Sequence, residues 1–138
     1  MSLPEPYYDD GGGRVIYHGD CREILPLLEQ VDMVFTDPPY PREFEHVWQY
    51  FGLIKLKKGR SLMSYCGHYQ LPLALTSIGK HFRWHWLCIQ QNAGGINPIM
   101  HGFRVKVNFK PVLWFTNGKP DLQSLPIVDD DLGRLGKS

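Results

Sequence analysis

The stretch that most constrains the fold runs from Val31 to Tyr40. The run Val31–Thr36 is mostly apolar and of strand length, and Asp37-Pro38-Pro39-Tyr40 follows it directly. Such a run is typical of a buried parallel strand, which delivers the next residues to the carboxyl edge of a sheet, where α/β proteins bind ligands. Two consecutive prolines continue neither a strand ladder nor a helix, so the sequence predicts a stiff turn at that edge.

The predicted turn presents one carboxylate and one aromatic ring. Asp37 and a proline carbonyl could accept hydrogen bonds from an amino group on a planar ring, while Tyr40 could stack on the face of that ring. The alternative is an ordinary strand that ends in a proline turn. The aromatic residue in the fourth position and the strand before the turn favour the functional interpretation.

The same residues carry a resemblance to a known family. Asp37-Pro38-Pro39-Tyr40 at a strand end resembles the catalytic motif of S-adenosylmethionine-dependent amino-methyltransferases that act on DNA. The stretches Val15–Cys21 and Asp32–Asp37 resemble the opening of the permuted class, in which the catalytic half precedes the cofactor-binding half. The resemblance covers residues 14 to 118 and implies methyl transfer to an exocyclic amine of a flipped base. The leading Asp37 favours adenine N6 over cytosine N4.

The resemblance also implies site residues. The catalytic set is Asp37, Pro38, Pro39 and Tyr40. For S-adenosylmethionine, the expected contacts are the following four residues: Gly19, Asp20, Cys21 and Asp37. Asp20 occupies the place of a carboxylate that contacts the adenosine part of the cofactor, and it is equally a candidate N-cap for the helical turn that follows it.

The alternation of strand and helix patterns predicts an α/β protein with a Rossmann-like methyltransferase fold, in which a mainly parallel sheet receives a late antiparallel strand. An apolar stripe from Phe44 to Ile54 predicts one covering helix, and Leu71–Gly79 predicts another. The cations of residues 55–60 are expected at the solvated end of the first helix. Further strands are expected at Ser61–Tyr65, at His85–Gln90 and at Val112–Thr116.

Residues 103–110 alternate strictly between apolar and polar side chains, which predicts a half-buried strand. Its polar face carries Arg104, Lys106 and Lys110. These cations are expected to contact DNA phosphates, and a solvated strand face is an equal alternative. Pro111 is expected to end this strand.

Residues 1–138 are predicted to form a single domain, with a flexible lead-in at residues 1–13 and an irregular tail at residues 119–138. The glycine-rich cofactor loop of the resembled family is not found in the sequence. We therefore expect the catalytic half of a methyltransferase, an incomplete fold whose partner would be a missing cofactor-binding half or a second copy of the chain.

Composition bounds these expectations. A formal net charge of +1 gives no global attraction to nucleic acid, so DNA binding needs a local basic face. Three widely spaced cysteines match neither a disulfide framework nor a zinc site and fit a reducing cytoplasm, and no metal site is predicted. No apolar run is long enough to span a membrane. Two alternatives stay open: a non-enzymatic nucleic-acid-binding or partner module, and a methyltransferase that acts on RNA or protein.

Overall fold

A computed structural model describes residues 2–92 and 99–121 of the chain. Its strands are β1 (Tyr8–Asp9), β2 (Val15–Ile16), β3 (Val31–Thr36), β4 (Leu56–Tyr65), β5 (Arg83–Gln91), β6 (Ile99–Met100), β7 (Val105–Lys106) and β8 (Phe109–Thr116). Its α-helices are α1 (Cys21–Ile24) and α2 (Leu71–Gly79), and its 3-10 segments are Leu25–Leu27, Arg42–Leu53, His68–Gln70 and His101–Phe103. In the part that the structure describes, no helix is both long and apolar enough to cross a membrane.

The main sheet has the strand order β3-β4-β8-β5. β3 and β4 are parallel, whereas β8 is antiparallel to both of its neighbours, β4 and β5. Three strands therefore point the same way, and β8, the last strand of this sheet in the chain, is inserted between two of them in the opposite direction. The predicted mainly parallel α/β sheet with a late antiparallel strand is confirmed.

One face of the sheet is covered by the segment Arg42–Leu53 and by α2. The core between them contains ten buried side chains: Trp48, Phe51, Leu56, Leu62, Cys66, Ala74, Ile78, Phe82, Leu113 and Phe115. Trp48 and Phe51 stack with their ring centroids 5.5 Å apart. Burial of a large apolar side chain stabilises a fold by about 1.5–3 kcal/mol, so this layer holds β3 and β4 in place.

The opposite face carries exposed apolar side chains. Phe35 of β3 lies in register with Met63, Met63 with Trp114, and Trp114 with Trp86 of β5. Phe35 is 58% exposed, Trp86 is 56% exposed, and Met33, two residues before Phe35, is 54% exposed. Within the described ranges β3 pairs only with β4, so it is an edge strand with an apolar flank.

The cations of residues 55–60 do not end a helix, contrary to the prediction. Lys57 and Arg60 belong to β4 and make ion pairs with Asp32 of β3, at 2.8 Å and 3.2 Å. The pairing between β3 and β4 shifts here, because Val31 faces Leu56 while Met33 faces Ser61. Gly59 has a φ of 78° at this bulge, a conformation that glycine adopts without strain.

The prediction of one continuous strand over residues 103–110 is also wrong. Phe103 ends a 3-10 turn, Arg104 has a φ of 56°, β7 is only two residues long, and β8 begins at Phe109. Alternation alone does not reveal a left-handed residue, which interrupts the ladder. Pro111 lies within β8 instead of ending the strand, because the pairing with β4 begins only at Val112.

The two ends of the chain are described in part. Within the predicted lead-in, β1 pairs with β2 through the antiparallel partners Tyr8–Ile16 and Asp9–Val15. In the predicted tail, the backbone N–H of Asp121 donates to the carbonyl of Gly59 over 3.0 Å. Residues 122–138 lie outside the described residues, so the rest of the tail remains a prediction.

Candidate active site

The turn Asp37-Pro38-Pro39-Tyr40 begins directly after β3, at the carboxyl end of that strand. Pro38 is buried, Asp37 and Pro39 are exposed, and Tyr40 is half-buried. The buried proline anchors the turn against the fold while the carboxylate of Asp37 faces solvent. The turn therefore lies where the sequence predicts it, at the carboxyl end of β3.

The side chains of Tyr40 and Asp37 are joined by a hydrogen bond. The Tyr40 hydroxyl donates to Oδ1 of Asp37 over 2.6 Å. Burial raises the pKa of the Tyr40 phenol well above its ordinary value, and the hydrogen bond to Asp37 raises it further. The hydroxyl therefore stays protonated and donates to Asp37. The sequence predicts a role for the aromatic ring of Tyr40 but not the hydrogen bond that its hydroxyl donates to Asp37.

The backbone carbonyl of Tyr40 is held by two side chains from the segment after β4. The Tyr69 hydroxyl donates to this oxygen, and Nε2 of Gln70 donates to it over 2.9 Å. No hydrogen bond to the carbonyl oxygens of Pro38 or Pro39 is recorded among the described residues. The sequence carries no signal for Tyr69 and Gln70, because a hydrogen bond across thirty residues depends on tertiary structure.

Of the three predicted DNA-binding cations, Lys110 lies at the turn. Its Nζ is 5.8 Å from the ring centroid of Tyr40 and 5.8 Å from that of Tyr65, within the range of cation–π attraction. Lys106 belongs to the separate β6–β7 pair, and Arg104 precedes it. The predicted basic face is therefore divided between two structural units.

The expected cofactor residues near α1 are only partly available. Asp20 caps α1 and its carboxylate accepts from Nε of Arg22, at 2.9 Å and 3.0 Å, and also from the terminal guanidinium nitrogen. These bonds from Arg22 lower the pKa of Asp20 to about 2. The cap interpretation is thus realised in the structure, and a cofactor hydroxyl would have to compete with Arg22. Gly19 packs against Ile24, whose Cδ1 would lie 3.0 Å from an added Cβ.

An open groove of about 900 Å³ runs along the free edge of β3. Cys21 and Asp37 both line it, together with Phe35, Pro38 and Tyr50. The structure therefore brings two of the four expected cofactor residues to one groove. The groove ends at the turn that carries the candidate catalytic carboxylate.

Comparisons with known proteins agree with the fold. No protein-family model matches the chain, and no curated protein matches it. Among solved structures, the chain is similar to M1.HpyAVI in complex with SAM, with a TM-score of 0.60 and 17% identity over 76% of this chain and 54% of that chain. It is also similar to the PvuII DNA methyltransferase (cytosine-N4-specific), with a TM-score of 0.61 and 20% identity over 75% of this chain and 49% of that chain.

These likenesses show the fold of the chain. The chain spans about half the length of the solved structures that it matches. It has the Rossmann-like fold of methyltransferases, present in part.

Proposed function

We propose that this chain is the catalytic half of an S-adenosylmethionine-dependent DNA methyltransferase, which transfers a methyl group to the exocyclic amine of a flipped base, adenine N6 in preference to cytosine N4. The single observation that carries the proposal is the Asp37-Pro38-Pro39-Tyr40 turn, held rigidly at the carboxyl end of β3 and opening on the groove. The methyltransferase fold of the chain supports it.

The chain's own residues would prepare the amine. The lone pair of an exocyclic amine is delocalised into the base, so the nitrogen is a poor nucleophile. Asp37 and the carbonyl of Pro38 would accept its two hydrogens and draw the nitrogen toward a tetrahedral geometry, which frees the lone pair. The Tyr40 ring would replace part of the stacking that the base loses on flipping.

The proposal places the cofactor in the groove beside β3, which has a volume of about 900 Å³ and ends at the Asp37 carboxylate. Cys21, Tyr50 and Asp37 would contact it there, and Asp20 would join them only if its carboxylate turned away from Arg22. When bound, S-adenosylmethionine supplies an electrophilic methyl group. The proposal assigns Asp37 to the meeting point of cofactor and base, because it lies at the end of the groove and in the turn.

The proposal includes a partner. The free edge of β3 and the exposed Met33 and Phe35 would pair with a cofactor-binding half that carries the glycine-rich turn, since an open apolar edge is a template for association. Self-association through the same edge is the alternative outcome. Lys110 would contact DNA at the turn, and Arg104 and Lys106 would contact phosphates farther along the strand of DNA.

A binding experiment tests the base-recognition part of the proposal. Oligothymidylate strands would carry at one central position an adenine, a cytosine or an abasic site, and single strands avoid the cost of flipping. We expect the affinity of the chain to fall in the order adenine, cytosine, abasic. In Asp37→Ala the adenine and cytosine affinities should become nearly equal, whereas the abasic strand should still bind more weakly because stacking on Tyr40 remains. A wild-type chain that binds the adenine and abasic strands equally would contradict the proposal.

Calorimetric titration with S-adenosylmethionine tests the need for the second half. We expect this 138-residue chain alone to bind the cofactor weakly or not at all and to methylate nothing measurable, because among the described residues no strand pairs with the outer edge of β3 and the groove there is open. Sedimentation of the same sample would report association through the β3 edge, with Phe35→Lys as the variant that should abolish it. Micromolar cofactor affinity in a monomer would contradict this expectation.

A further inference from the structure

The carbonyl oxygen of Tyr40 receives more hydrogen bonds than any other part of the candidate catalytic turn. Nε2 of Gln70 and the Tyr69 hydroxyl both donate to it. Gln70 is 1% exposed, so its amide is fixed inside the protein. Its backbone N–H donates to the carbonyl of Gly67 over 3.0 Å, which fixes the short helical turn that carries both donors.

Gly67 provides the space for this amide. A Cβ at position 67 would lie 3.1 Å from Oε1 of Gln70, closer than most such contacts. Oε1 is buried and has no hydrogen-bond partner among the described residues. A buried amide oxygen without a partner costs free energy, and the bond from Nε2 to Tyr40 is the side-chain interaction that offsets it.

The two donors act on a carbonyl oxygen that receives no other hydrogen bond among the described residues. Pro41 follows Tyr40, so the Tyr40 carbonyl belongs to a tertiary amide and the next residue offers no N–H. Holding this oxygen fixes the backbone of Tyr40, and with it the ring and the hydroxyl that donates to Asp37. The carbonyls of Pro38 and Pro39 have no recorded donor in the described ranges and remain available to a ligand.

We propose that Gln70, assisted by Tyr69, is a positioning residue that holds the Tyr40 carbonyl and thereby sets the direction in which Asp37 and Pro38 face the target amine. This inference rests on the proposed function, since it assigns how the turn is held for the capture of a base. Gln70 touches neither base nor cofactor and acts through Tyr40.

The substitution Gln70→Glu tests the hydrogen bond with little change of shape. An ionised carboxylate has no hydrogen to donate and repels the Tyr40 carbonyl, whereas a protonated carboxyl can donate to it. Because burial raises the pKa of a carboxyl at this position, the defect should appear as the pH rises and the carboxyl ionises, and it should recede as the pH is lowered. The wild-type chain, measured over the same pH range, controls for the ionisation of other groups such as His68, and Gln49→Glu, at an exposed position, is the matched control.

The Tyr40 carbonyl can be observed directly, because Tyr40-Pro41 is the only Tyr-Pro pair in the sequence. With carbonyl-labelled tyrosine and nitrogen-labelled proline, one NMR signal reports this peptide. We expect Gln70→Glu to move the carbonyl shift upfield at the high end of the pH range, where the carboxyl is ionised, and to restore it at the low end. Tyr69→Phe should move it in the same direction at every pH, which provides a second variant if Gln70→Glu folds poorly.

The functional readout is the ratio of affinities for the adenine strand and the abasic strand. We expect Gln70→Glu to reduce this ratio severalfold at the high end of the pH range, with recovery at the low end, and to leave affinity for the abasic strand unchanged. An unmoved carbonyl shift in both variants would overturn the inference. So would a moved shift with the wild-type ratio retained. A wild-type ratio of one would instead overturn the proposed function itself.

Discussion

Replacement of Tyr40 separates two roles that the proposal assigns to one residue. Its ring is the surface on which a flipped base would stack, and its hydroxyl donates to Asp37 over 2.6 Å. Tyr40→Ala removes both, whereas Tyr40→Phe removes only the hydroxyl. Stacking of a base on an aromatic ring contributes about 1–3 kcal/mol, which corresponds to a loss of about 5- to 160-fold in affinity for the adenine strand in Tyr40→Ala.

The hydroxyl should contribute less to binding. A hydrogen bond to a charged group contributes about 1.5–3 kcal/mol when it is sheltered from water. Asp37 is exposed, and exposure reduces this contribution, so we expect Tyr40→Phe to lose at most about fivefold in affinity for the adenine strand. Without the hydroxyl, the Asp37 carboxylate is free to rotate. A complete enzyme that carries Tyr40→Phe should therefore lose more in methyl transfer than in base binding.

The assay is fluorescence anisotropy with labelled strands that carry a central adenine or an abasic site. The abasic strand keeps the phosphate contacts and lacks the base, so the difference between the two strands isolates the contacts made to the base. Tyr50→Ala, a tyrosine of the groove outside the turn, is the matched control. Equal loss of affinity for both strands in Tyr40→Ala would refute the reasoning, because it would mean that the substitution damages the fold or the phosphate contacts.

Two further predictions follow from contacts near the turn. If the Lys110 ammonium contacts one phosphate, Lys110→Met should reduce the slope of log affinity against log salt by about 0.7 for single-stranded DNA. Lys106→Met is the comparison variant on the β6–β7 pair. An unchanged slope in both variants would mean that these cations face only solvent. Burial raises the pKa of the Cys66 thiol from 9.0 to about 11, so at mildly alkaline pH iodoacetamide should modify the exposed Cys21 and spare Cys66 until the chain unfolds. The neutral Cys66 thiol stabilises the fold below pH 9, and this contribution is lost as the pH rises toward 11, because the thiol of the unfolded chain ionises first. Alkylation of Cys66 as fast as Cys21 would contradict the burial of Cys66.

The sequence was sufficient where a single local rule determines the structure. The apolar run Val31–Thr36 followed by two prolines allows few conformations, and the structure has a strand with the predicted bounds. The expected burial of this strand is wrong, because β3 lies at the edge of the described sheet and Met33 and Phe35 are exposed. The helix Leu71–Gly79 has an apolar stripe, an early proline and a closing glycine, and it is also confirmed. In both cases the residues that determine the element are adjacent in sequence.

The sequence was insufficient where residues far apart in the chain determine the local structure. The cations Lys57 and Arg60 look like a helix end until the ion pairs with Asp32 of the neighbouring strand are known. The alternation of residues 103–110 is broken by the backbone of Arg104, whose side chain gives no sign of a positive φ. The bond between Gln70 and the Tyr40 carbonyl depends on the packing of the segment after β4 beside β3, which no local pattern encodes.

The position of β3 at the edge of the sheet separates the two binding tasks of the proposed reaction. The turn after β3 is held from one side only, by Gln70 and Tyr69, which follow β4. The ammonium of Lys110, a residue of β8, lies 5.8 Å from the ring centroid of Tyr40 in this turn. Everything that the proposal requires for capture of a base is therefore present in the described structure.

The groove lies on the other side, along the free edge of β3, where no described strand is paired. In open α/β sheets a ligand crevice forms between the carboxyl ends of two strands, and β3 has a neighbour on one side only. Recognition of the base should thus survive in the isolated chain, whereas cofactor binding should depend on whatever pairs with β3.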